Sequence, residues 1–490
     1  MRCVLPLLLT APLVAQDQDW PTHRADLARS GRTHARLDVT RLRPIWTHRA
    51  RRPPRPAWPG PARWDAFAGL AGLASMRNYD PVFHPIAVGQ RVWFGSSSED
   101  TVVCLDASSG SVLWEFVTGG PVRVAPTWDA GRLYVGSDDG SAICLDAASG
   151  ELLWRFDPTL GSRRVLNNGR LISAWPVRTG VAVEDGTAYF AASMLPWQVS
   201  YVCAVDALSG EPTGDGHPRY VRDLGTGWTM EGATALSSTA LVIPQGRVAP
   251  LLFDRETGAS RGTLQGGGGS FCLVTEDDAV LHGPGNKSGW ITDSRESTGE
   301  AIASYERGNA IVIGAQGAFL LSDQTLGALD RTTGSVLWSV PTQATLTMVL
   351  AGEHLILGGD GRVEARLARD GRLLWEASVE GRAHGLAVAR GRLLVATDLG
   401  RLTAFEASGE PLVVRQPEPG EAEGRVLGAP PVIDAQAGPG LLDRWLFQSD
   451  AVVLQPPLGA DPTDAARVPH VRNQAPGGLA ARVLGALDLR

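Results

Sequence analysis

Lysine is almost absent from this sequence, and cysteine is scarce. Lys287 is the only lysine among 490 residues, so all but one of the 45 basic residues are arginines. The net charge of −7 at pH 7 argues against wholesale binding of nucleic acid. Only five cysteines are present, and no two of them are adjacent. A dense disulfide framework is therefore excluded.

Three of the cysteines recur two residues before an aspartate that opens a turn. Equivalent positions on neighbouring sheets lie too far apart for a disulfide. We therefore expect these cysteines to be small buried strand residues. Cys272 has no obvious partner in the sequence. The three recurring cysteines are Cys104, Cys144 and Cys203, which precede Asp106, Asp146 and Asp206.

The sequence also lacks any apolar run long enough to cross a bilayer. Residues 1–16 contain one basic residue, a short apolar stretch broken by two prolines, and small residues near Ala15. That pattern predicts a secretory signal peptide. Cys3 lies ahead of the apolar stretch, so a lipid anchor on a cysteine after the signal is not predicted. We expect an exported protein of the periplasm or cell surface, and not an integral membrane protein.

Glycine and proline are abundant, and a turn built on glycine repeats along the chain. TVVCLDASSGSVLWEF at 101–116 is followed by SAICLDAASGELLWRF at 141–156. Each copy reads as an apolar strand, a turn with a left-handed glycine, and a second strand ending in Leu-Trp. A period of about 40 residues made of short strands is typical of propeller blades. The turn glycines are Gly110, Gly150, Gly210, Gly258, Gly299, Gly334, Gly371 and Gly409.

Two further strands precede each turn, so the repeat predicts an all-β propeller of four-stranded blades. Eight turn glycines favour eight blades. Residues 427–456 resemble a further half-unit, which keeps a nine-bladed alternative open. A strand near Trp46 is expected to complete the last blade and close the ring. Because one blade cannot bury its own faces, tryptophans of the outer strands are expected to dock on neighbouring blades: Trp114, Trp154, Trp338 and Trp375.

The phrases GRLYVGSDDGSAICLDAASGELLWRF and RTTGSVLWSV resemble the PQQ-like β-propeller repeats. These repeats are shared by quinoprotein dehydrogenases and by the outer-membrane assembly lipoprotein BamB. The resemblance covers roughly residues 79–410, and WP with the following Arg, Asp and Gly residues at 20–31 is also similar to exported members. It implies the fold strongly and the activity weakly, because one fold hosts many functions.

The expected organisation has four parts. Residues 1–16 form the signal peptide, and residues 17–78 form an N-terminal arm, the closing strand and a Pro/Arg-rich excursion. Residues 79–458 form the propeller, and residues 459–490 a C-terminal tail. Within the second part, we expect 19–33 to lie on the surface, 49–64 to be a solvated linker rather than an anion-binding segment, and 66–74 to form a short helix.

Two arginines on innermost strands are the leading candidates for a ligand site. Arg123 and Arg178 occupy the same register on neighbouring blades, where they would face one channel. They would repel one another unless an acid or an anion pairs with them. Asp80, Glu231 or a bound carboxylate or phosphate could do so. Ion pairing within the chain and ligand binding both remain open here.

An insert at 163–175 lengthens the third repeat and either binds a ligand or covers the channel mouth. Asp138 and Asp139 precede Gly140 and are explained as a hairpin turn rather than a catalytic pair. No histidines are spaced as a zinc site, so no metal ligands are predicted. The candidate ligand-binding residues are Arg123, Arg178, His84, Asp80, Arg170 and Trp175.

The resemblance to quinoprotein dehydrogenases would require adjacent cysteines against the quinone and an acidic set holding calcium. The chain has no adjacent cysteine pair, and no calcium set can be assigned. We therefore expect no cofactor, with PQQ as the alternative. The favoured function is a monomeric, non-catalytic scaffold that binds a protein or envelope component, as in envelope assembly. The alternatives are a PQQ-dependent oxidoreductase with a degenerate site, and a protein that binds small anions or sugar acids.

Overall fold

Short strands joined by tight turns account for nearly all of the regular structure. The structure, a computed structural model, describes residues 18–58, 79–159, 163–212, 219–246, 248–269, 271–283, 290–305, 308–315 and 317–412. These residues belong to one compact unit. Among them the only helical segment assigned is a 3-10 turn at Val39–Arg41. The predicted signal peptide, the helix at 66–74, residues 427–456 and the C-terminal tail lie outside the described residues.

Eight four-stranded blades follow one another along the described part of the chain, six as separate sheets and the last two within one seven-stranded sheet, and we number them 1 to 8. The first four blades are each made from consecutive strands. Blade 1 contains β3 (Ile86–Val88), β4 (Arg91–Ser96), β5 (Thr101–Asp106) and β6 (Val112–Val117). Blade 2 contains β7 (Thr127–Asp129), β8 (Arg132–Gly136), β9 (Ala142–Asp146) and β10 (Leu152–Phe156). Blade 3 contains β13 (Ala182–Glu184), β14 (Thr187–Ala192), β15 (Tyr201–Asp206) and β16 (Tyr220–Asp223). Blade 4 contains β17 (Ala235–Leu236), β18 (Ala240–Ile243), β19 (Leu251–Asp254) and β20 (Ser260–Thr263).

The remaining blades continue the pattern, but the last two share a strand. Blade 5 contains β21 (Phe271–Val274), β22 (Ala279–Gly283), β23 (Ile291–Arg295) and β24 (Ala301–Tyr305). Blade 6 contains β25 (Gly308–Gly314), β26 (Gly317–Ser322), β27 (Thr325–Leu329) and β28 (Val336–Pro341). Blade 7 is built from β29 (Thr347–Ala351), the two halves of the long strand β30 (His354–Leu367) and the first half of β31 (Leu373–Ala389). The first half of β30 pairs with β29 and the second half pairs with β31, so β30 supplies two of the four strands. Blade 8 takes the second half of β31, then β32 (Arg392–Thr397), β33 (Arg401–Ala407) and β2 (Leu42–Arg49).

The middle strands of the blades are buried on both faces. Every residue of β14 is buried, and its sequence TAYFAA shows none of the polar alternation of a half-exposed strand. Aromatic residues of neighbouring blades share the same cores, as Tyr134 of blade 2 and Phe190 of blade 3 do. Burial of apolar surface on both sides of each sheet stabilises the stack, at about 25 cal/mol per Å². The prediction of an all-β propeller of four-stranded PQQ-like blades is confirmed, and eight blades lie within the described residues.

The predicted turn between the third and fourth strands of a blade is formed by its aspartate. In blade 1, one carboxylate oxygen of Asp106 accepts hydrogen bonds from the backbone N–H groups of Ser108 and Ser109, each at 2.9 Å. Gly110 has φ +71° and donates its N–H to the Asp106 carbonyl at 2.8 Å. The Asp106 carboxylate and Gly110 together stabilise this turn. A residue with a side chain at the Gly110 position would be strained in the left-handed conformation.

Tryptophans of the outer strands pack on the turn glycines of the next blade. A methyl group placed on Gly150 would lie 2.7 Å from the Trp114 ring. Trp154 covers Gly210 in the same way, and its Nε1–H donates to the Ala207 carbonyl at 3.0 Å. Trp338 lies over Gly371. Trp375 differs, since its Nε1–H donates to the Leu42 carbonyl of β2, at 3.1 Å.

The N-terminal strand β2 completes blade 8. It pairs antiparallel with β33, and Trp46 then lies over Gly110 of blade 1 and donates to the Ala107 carbonyl at 3.0 Å. Blade 8 therefore contacts blade 1 through the same tryptophan–glycine contact that joins other neighbours. In the nine-bladed alternative, this strand would complete the half-unit at residues 427–456. In the structure it pairs with β33 of blade 8 instead.

The arm before β2 runs across the inner strands and is not a surface feature. Backbone hydrogen bonds join Trp20 to Ala87 of blade 1, and Leu27 and Ala28 to blades 4 and 5. Strand β1 (Arg32–Thr33) pairs in parallel with β29 of blade 7. The expectation of a surface arm at 19–33 is therefore wrong, because its backbone supplies partners for inner strands that have a free edge.

The Pro/Arg-rich segment packs onto the blades at Ala57 and Trp58, whereas residues 51–53 and the Arg55 side chain are exposed. Ala57 is fully buried, and Trp58 packs beside Tyr79. The Arg55 N–H donates to Ser97 Oγ at 3.0 Å. The expectation of a solvated linker therefore agrees with the exposure of residues 51–53 and is wrong for Ala57 and Trp58, which pack on the blades. Prolines favour this extended path because they restrict the backbone.

Candidate functional site

Four charged residues begin the inner segments of four consecutive blades. Asp80, Arg123, Arg178 and Glu231 lie just ahead of β3, β7, β13 and β17. Each residue occupies a similar position, four to six residues ahead of the innermost strand of its blade. The four side chains therefore meet at the same end of these strands. A fifth side chain joins them from the turn between β8 and β9. We call this set the charged centre: Asp80, Arg123, Asp138, Arg178 and Glu231.

Asp138 bridges the two arginines. One of its oxygens accepts from Arg123 Nε at 2.7 Å and from Arg178 Nη2 at 3.0 Å, and the other accepts from Arg178 Nε at 3.0 Å. Burial alone would raise the pKa of the Asp138 carboxyl, but Arg123 and Arg178 outweigh that effect and lower the pKa below its ordinary value. Asp138 is therefore held as a carboxylate between two guanidinium groups.

Two further carboxylates complete the pairing. Arg123 Nη1 donates to Asp80 Oδ2 at 2.6 Å, and Arg178 Nη1 donates to Glu231 Oε1 at 2.8 Å. All five side chains of the charged centre are 3% exposed or less. Burial raises the pKa of Asp80, and Arg123 offsets this only in part. Ion pairs this deeply buried are costly to break from one side.

The charged centre is covered by the described end of the Pro/Arg-rich segment. The Ala57 N–H donates to Asp80 Oδ2 at 2.9 Å, and the Arg55 carbonyl accepts from Arg123 Nη1 at 2.9 Å. Trp58 Nε1 donates to Glu231 Oε2 at 2.8 Å, and the Trp58 ring lies 5.5 Å from the Arg178 guanidinium carbon. A cation over an indole face is attractive. Residues 55–58 therefore supply polar partners to the buried charges.

The arrangement is acidic in sum, which bears on the anion hypothesis. Three carboxylates face two guanidinium groups, and each arginine already contacts two of the carboxylates. A further anion would meet a net charge of about −1 in a buried site, where charge repulsion is screened least. The two arginines are therefore paired with carboxylates of the chain itself. The sequence left open whether such ion pairs or a bound ligand would neutralise them.

The other predicted ligand residues make their contacts elsewhere. Arg170 forms a salt bridge with Asp100, and Trp175 Nε1 donates to the Val199 carbonyl at 2.7 Å. The His84 ring lies 4.8 Å from the His23 ring, edge to face. Burial lowers the pKa of His84 to about 4, which keeps it neutral near pH 7. Of the six candidate ligand-binding residues, the structure therefore brings together Asp80, Arg123 and Arg178, and it adds Glu231, which the sequence suggested as a partner for the arginines.

Sequence reasoning missed two parts of this site. Asp138 was explained by its turn alone, although two arginines in buried strands require nearby carboxylates, and this turn lies beside both. Asn167 was grouped with the insert, yet its Oδ1 accepts from Arg178 Nη2 at 2.8 Å. The position of Asn167 could have been inferred from the sequence. Asn168-Gly169 lies between two apolar pairs, and this pattern predicts a tight hairpin.

The insert folds as a two-stranded hairpin of β11 (Arg164–Asn167) and β12 (Arg170–Ser173). Asn168 and Gly169 have φ of +45° and +71°, as a type I′ turn requires. One face packs inward through Asn167 and Ile172. The other face carries the cross-strand pair Leu166 and Leu171, which are 77% and 61% exposed. We call this the outer hairpin face.

The residues present do not fit a quinone site of the dehydrogenase type. The four cysteines among the described residues are free and buried in different sheets: Cys104, Cys144, Cys203 and Cys272. Cys104, Cys144 and Cys203 are buried strand residues, as predicted. None can form the adjacent pair that would stack on a quinone. Within the described residues, no group of three or more histidine, cysteine, aspartate or glutamate side chains is placed to hold a metal ion.

Two solved structures share the fold of this chain. The chain is similar to the quinohemoprotein alcohol dehydrogenase of Comamonas testosteroni, with TM-score 0.58 and 14% identity over 83% of this chain and 82% of that one. It is also similar to a europium-containing methanol dehydrogenase, with TM-score 0.56 and 12% identity over 80% and 99%. BamB from Moraxella catarrhalis aligns with TM-score 0.49 and 16% identity over 74% and 99%.

No curated protein matches the sequence, whereas a protein family does. No helix of the described residues is long and apolar enough to span a membrane. The family, described as outer membrane protein assembly factor BamB, matches at residues 28–215, 225–385 and 359–437, which is most of the chain. The chain, with its PQQ-like β-propeller repeats, therefore belongs to this family.

Proposed function

We propose that this protein is an exported, non-catalytic scaffold that binds a protein partner, with a role in envelope assembly like that described for its family. The observation that carries the proposal is the contrast between the charged centre and the outer hairpin face. The centre is occupied by the chain's own ion pairs beneath residues 55–58. The hairpin beside it exposes two leucines that belong to no hydrophobic core cluster of the described residues.

The exposed leucines are distinct from other exposed apolar residues of the molecule. Val112, Leu113 and Leu337 are exposed on outer strands, where they belong to the repeated Leu-Trp pattern. Leu166 and Leu171 lie on an insert that the other repeats lack. An apolar pair on a rigid, well-packed hairpin is the kind of feature that protein interfaces use.

Export and a monomeric state are parts of the same proposal. The apolar stretch in residues 1–16 supports passage across a membrane, and the family description supports a place in the envelope. Two alternatives are less well supported. A quinone-dependent oxidoreductase lacks its cysteine pair here, and an anion-binding protein would need guanidinium groups that are not already paired with carboxylates.

A cofactor titration separates the scaffold from the oxidoreductase. Purified protein is mixed with PQQ and calcium, and quinone absorbance and dye reduction with simple alcohols are followed. We expect no quinone-dependent turnover. A clear turnover signal would show that the protein is an enzyme and that the scaffold proposal is wrong.

A genetic experiment tests the scaffold directly. The gene is deleted in its host, and the amount of folded outer-membrane β-barrel proteins is measured by heat-modifiable gel mobility. We expect the deletion to lower that amount and the wild-type gene to restore it. A Leu166→Ser/Leu171→Ser variant should fail to restore it, whereas Leu113→Ser/Leu337→Ser, which changes two leucines of outer strands, should succeed. Full rescue by the hairpin variant would contradict binding through this face.

A further inference from the structure

The hairpin leaves one strand edge without a partner. In a hairpin with a two-residue turn, the residues flanking the turn form a hydrogen-bonded pair, and the next pair does not. Leu166 and Leu171 form that next pair, so the N–H and C=O groups of Leu166 point away from β12. Arg164, two residues earlier, is oriented in the same way. Among the described residues, none hydrogen-bonds to the backbone of Leu166 or Arg164 outside the hairpin.

The opposite edge is already used by the body of the protein. The Ser173 N–H of β12 donates to the Asp138 carbonyl at 2.8 Å, and Arg170 Nη1 donates to the Ser98 carbonyl at 3.0 Å. The tip is held in place by the bond between Asn168 Nδ2 and the Pro56 carbonyl, at 2.8 Å. The hairpin is therefore fixed with β12 toward the blades, and β11 presents the free edge.

The surroundings of that edge are apolar and positively charged. Arg163 and Arg164 are exposed, and no carboxylate of the described residues forms a salt bridge with either. Arg164 and Leu166 lie on the same face of β11, because side chains two residues apart share a face of a strand. A strand added here would meet one leucine pair and two guanidinium groups.

We propose that an extended, acidic segment of the partner protein binds to β11 as a third strand. Its backbone would hydrogen-bond to Arg164 and Leu166, its apolar side chains would cover Leu166 and Leu171, and its carboxylates would pair with Arg163 and Arg164. Addition of a strand to a free edge is an established way for proteins to bind peptides. The inference rests on the proposed function, because it specifies the partner of the same face.

The test uses the full-length protein and synthetic strands of defined charge. The probes are a fluorescent peptide that carries valine and glutamate in turn along one face of a strand, with threonine on the other face, and the same peptide with lysine in place of glutamate. Fluorescence anisotropy at low and high salt gives the affinities. We expect the acidic peptide to bind, the basic peptide not to bind, and the affinity to fall as salt rises. Equal binding of both peptides, or binding of neither, would overturn the inference.

Proline substitutions test whether the backbone of β11 is used. Leu166→Pro removes an outward N–H without breaking a bond inside the hairpin, and Leu166→Ala removes the side chain alone. We expect Leu166→Pro to weaken acidic-peptide binding on the order of tenfold more than Leu166→Ala. Leu171→Pro and Leu171→Ala, the matched pair on the opposite strand, should differ little. Equal affinities of Leu166→Pro and Leu166→Ala would overturn the inference.

Hydrogen exchange and oligomeric state exclude other occupants. The amides of Arg164 and Leu166 should exchange freely in the protein alone and become protected when the acidic peptide binds. Protection of both amides without peptide, or a dimer that Leu166→Pro abolishes, would show that the chain itself or a second copy occupies the edge, and would overturn the inference. The proposed function fails on different evidence, namely quinone turnover or full rescue by the Leu166→Ser/Leu171→Ser variant.

Discussion

Asp138 places a single carboxylate between two buried guanidinium groups, and the rest of the charged centre depends on that position. Asp80 pairs with Arg123 alone, and Glu231 pairs with Arg178 alone. Asp138 pairs with both arginines. If it were neutral, two cations would remain near one another with one carboxylate each. The structure therefore predicts that Asp138 contributes more to stability than an exposed acid of equal charge.

We predict that Asp138→Asn lowers the free energy of unfolding by about 3–5 kcal/mol, because removing one partner of a buried ion pair leaves an under-compensated charge. Chemical denaturation followed by tryptophan fluorescence measures the loss. The control is Glu380→Gln, which removes a carboxylate that pairs with Arg49 and Arg401 on the surface. This control should cost far less, since exposed pairs are screened by water. Similar losses in both variants would contradict the buried pairing.

The pH dependence of the same variant has a definite sign. The folded protein lowers the pKa of Asp138 below its ordinary value of 3.8, so the folded state binds fewer protons than the unfolded chain in that range. The stabilisation is complete above the ordinary pKa and is lost as the pH falls through the folded pKa. We therefore expect the difference in unfolding free energy between wild type and Asp138→Asn to be constant from about pH 5 to about pH 8 and to shrink below about pH 4. A difference that grows on acidification would contradict the pairing.

At the scale of one blade and its neighbour, the turn glycine carries two separate constraints. Gly150 has φ +77°, a conformation that side chains rarely adopt, and its α-carbon faces the Trp114 ring. Gly131, in the same blade, has φ +82° with no atom near the position of a β-carbon. The two glycines share the backbone constraint, but only Gly150 is also packed against an aromatic ring.

We predict that Gly150→Ala destabilises the protein more than Gly131→Ala does. The left-handed backbone costs each variant about 1–2 kcal/mol. Crowding of Trp114 adds about 1–3 kcal/mol to Gly150→Ala alone. Thermal and chemical unfolding of both variants measure the difference, and a Trp114→Ala background should remove most of it. Equal losses in the two variants would mean that the tryptophan–glycine contact is not tight.

The sequence predicts the blade turns but not the charged centre, and the reason is the distance along the chain between the residues involved. The blade turn is stabilised by residues within five positions of one another, such as Asp106 and Gly110, so its pattern is visible in each repeat. The charged centre joins Asp80 to Arg123 and Asp138 to Arg178, residues that only the ring arrangement brings together. The hairpin at Asn168-Gly169 was a local signal that could have been read, whereas the packing of residues 55–58 depends on partners more than 20 residues away, such as Asp80 for Ala57.

At the scale of the whole molecule, the N-terminal arm connects blades that are not consecutive in the chain. Its backbone joins Pro21 to Trp128 of blade 2, Leu27 to Leu236 of blade 4, and Gly31 to Leu350 of blade 7. Arg29 is buried and donates to the carbonyls of Thr234 and His23, at 2.8 and 3.0 Å. Contacts between neighbouring blades are local, so a repeat protein without such a connection unfolds in parts.

We predict that a variant lacking residues 18–36 unfolds at lower temperature and less cooperatively than the full chain. The deletion removes Trp20, a buried indole worth about 3–5 kcal/mol, along with the backbone bonds to blades 1, 2, 4, 5 and 7. Differential scanning calorimetry measures both effects, because the ratio of van't Hoff to calorimetric enthalpy falls when cooperativity is lost. A synthetic peptide of residues 18–36 added in trans should restore the transition temperature in part, and a Trp20→Ala peptide should restore it less. If the truncated protein unfolds in one transition at the original temperature, the arm does not connect the blades energetically, and contacts between adjacent blades alone stabilise the propeller.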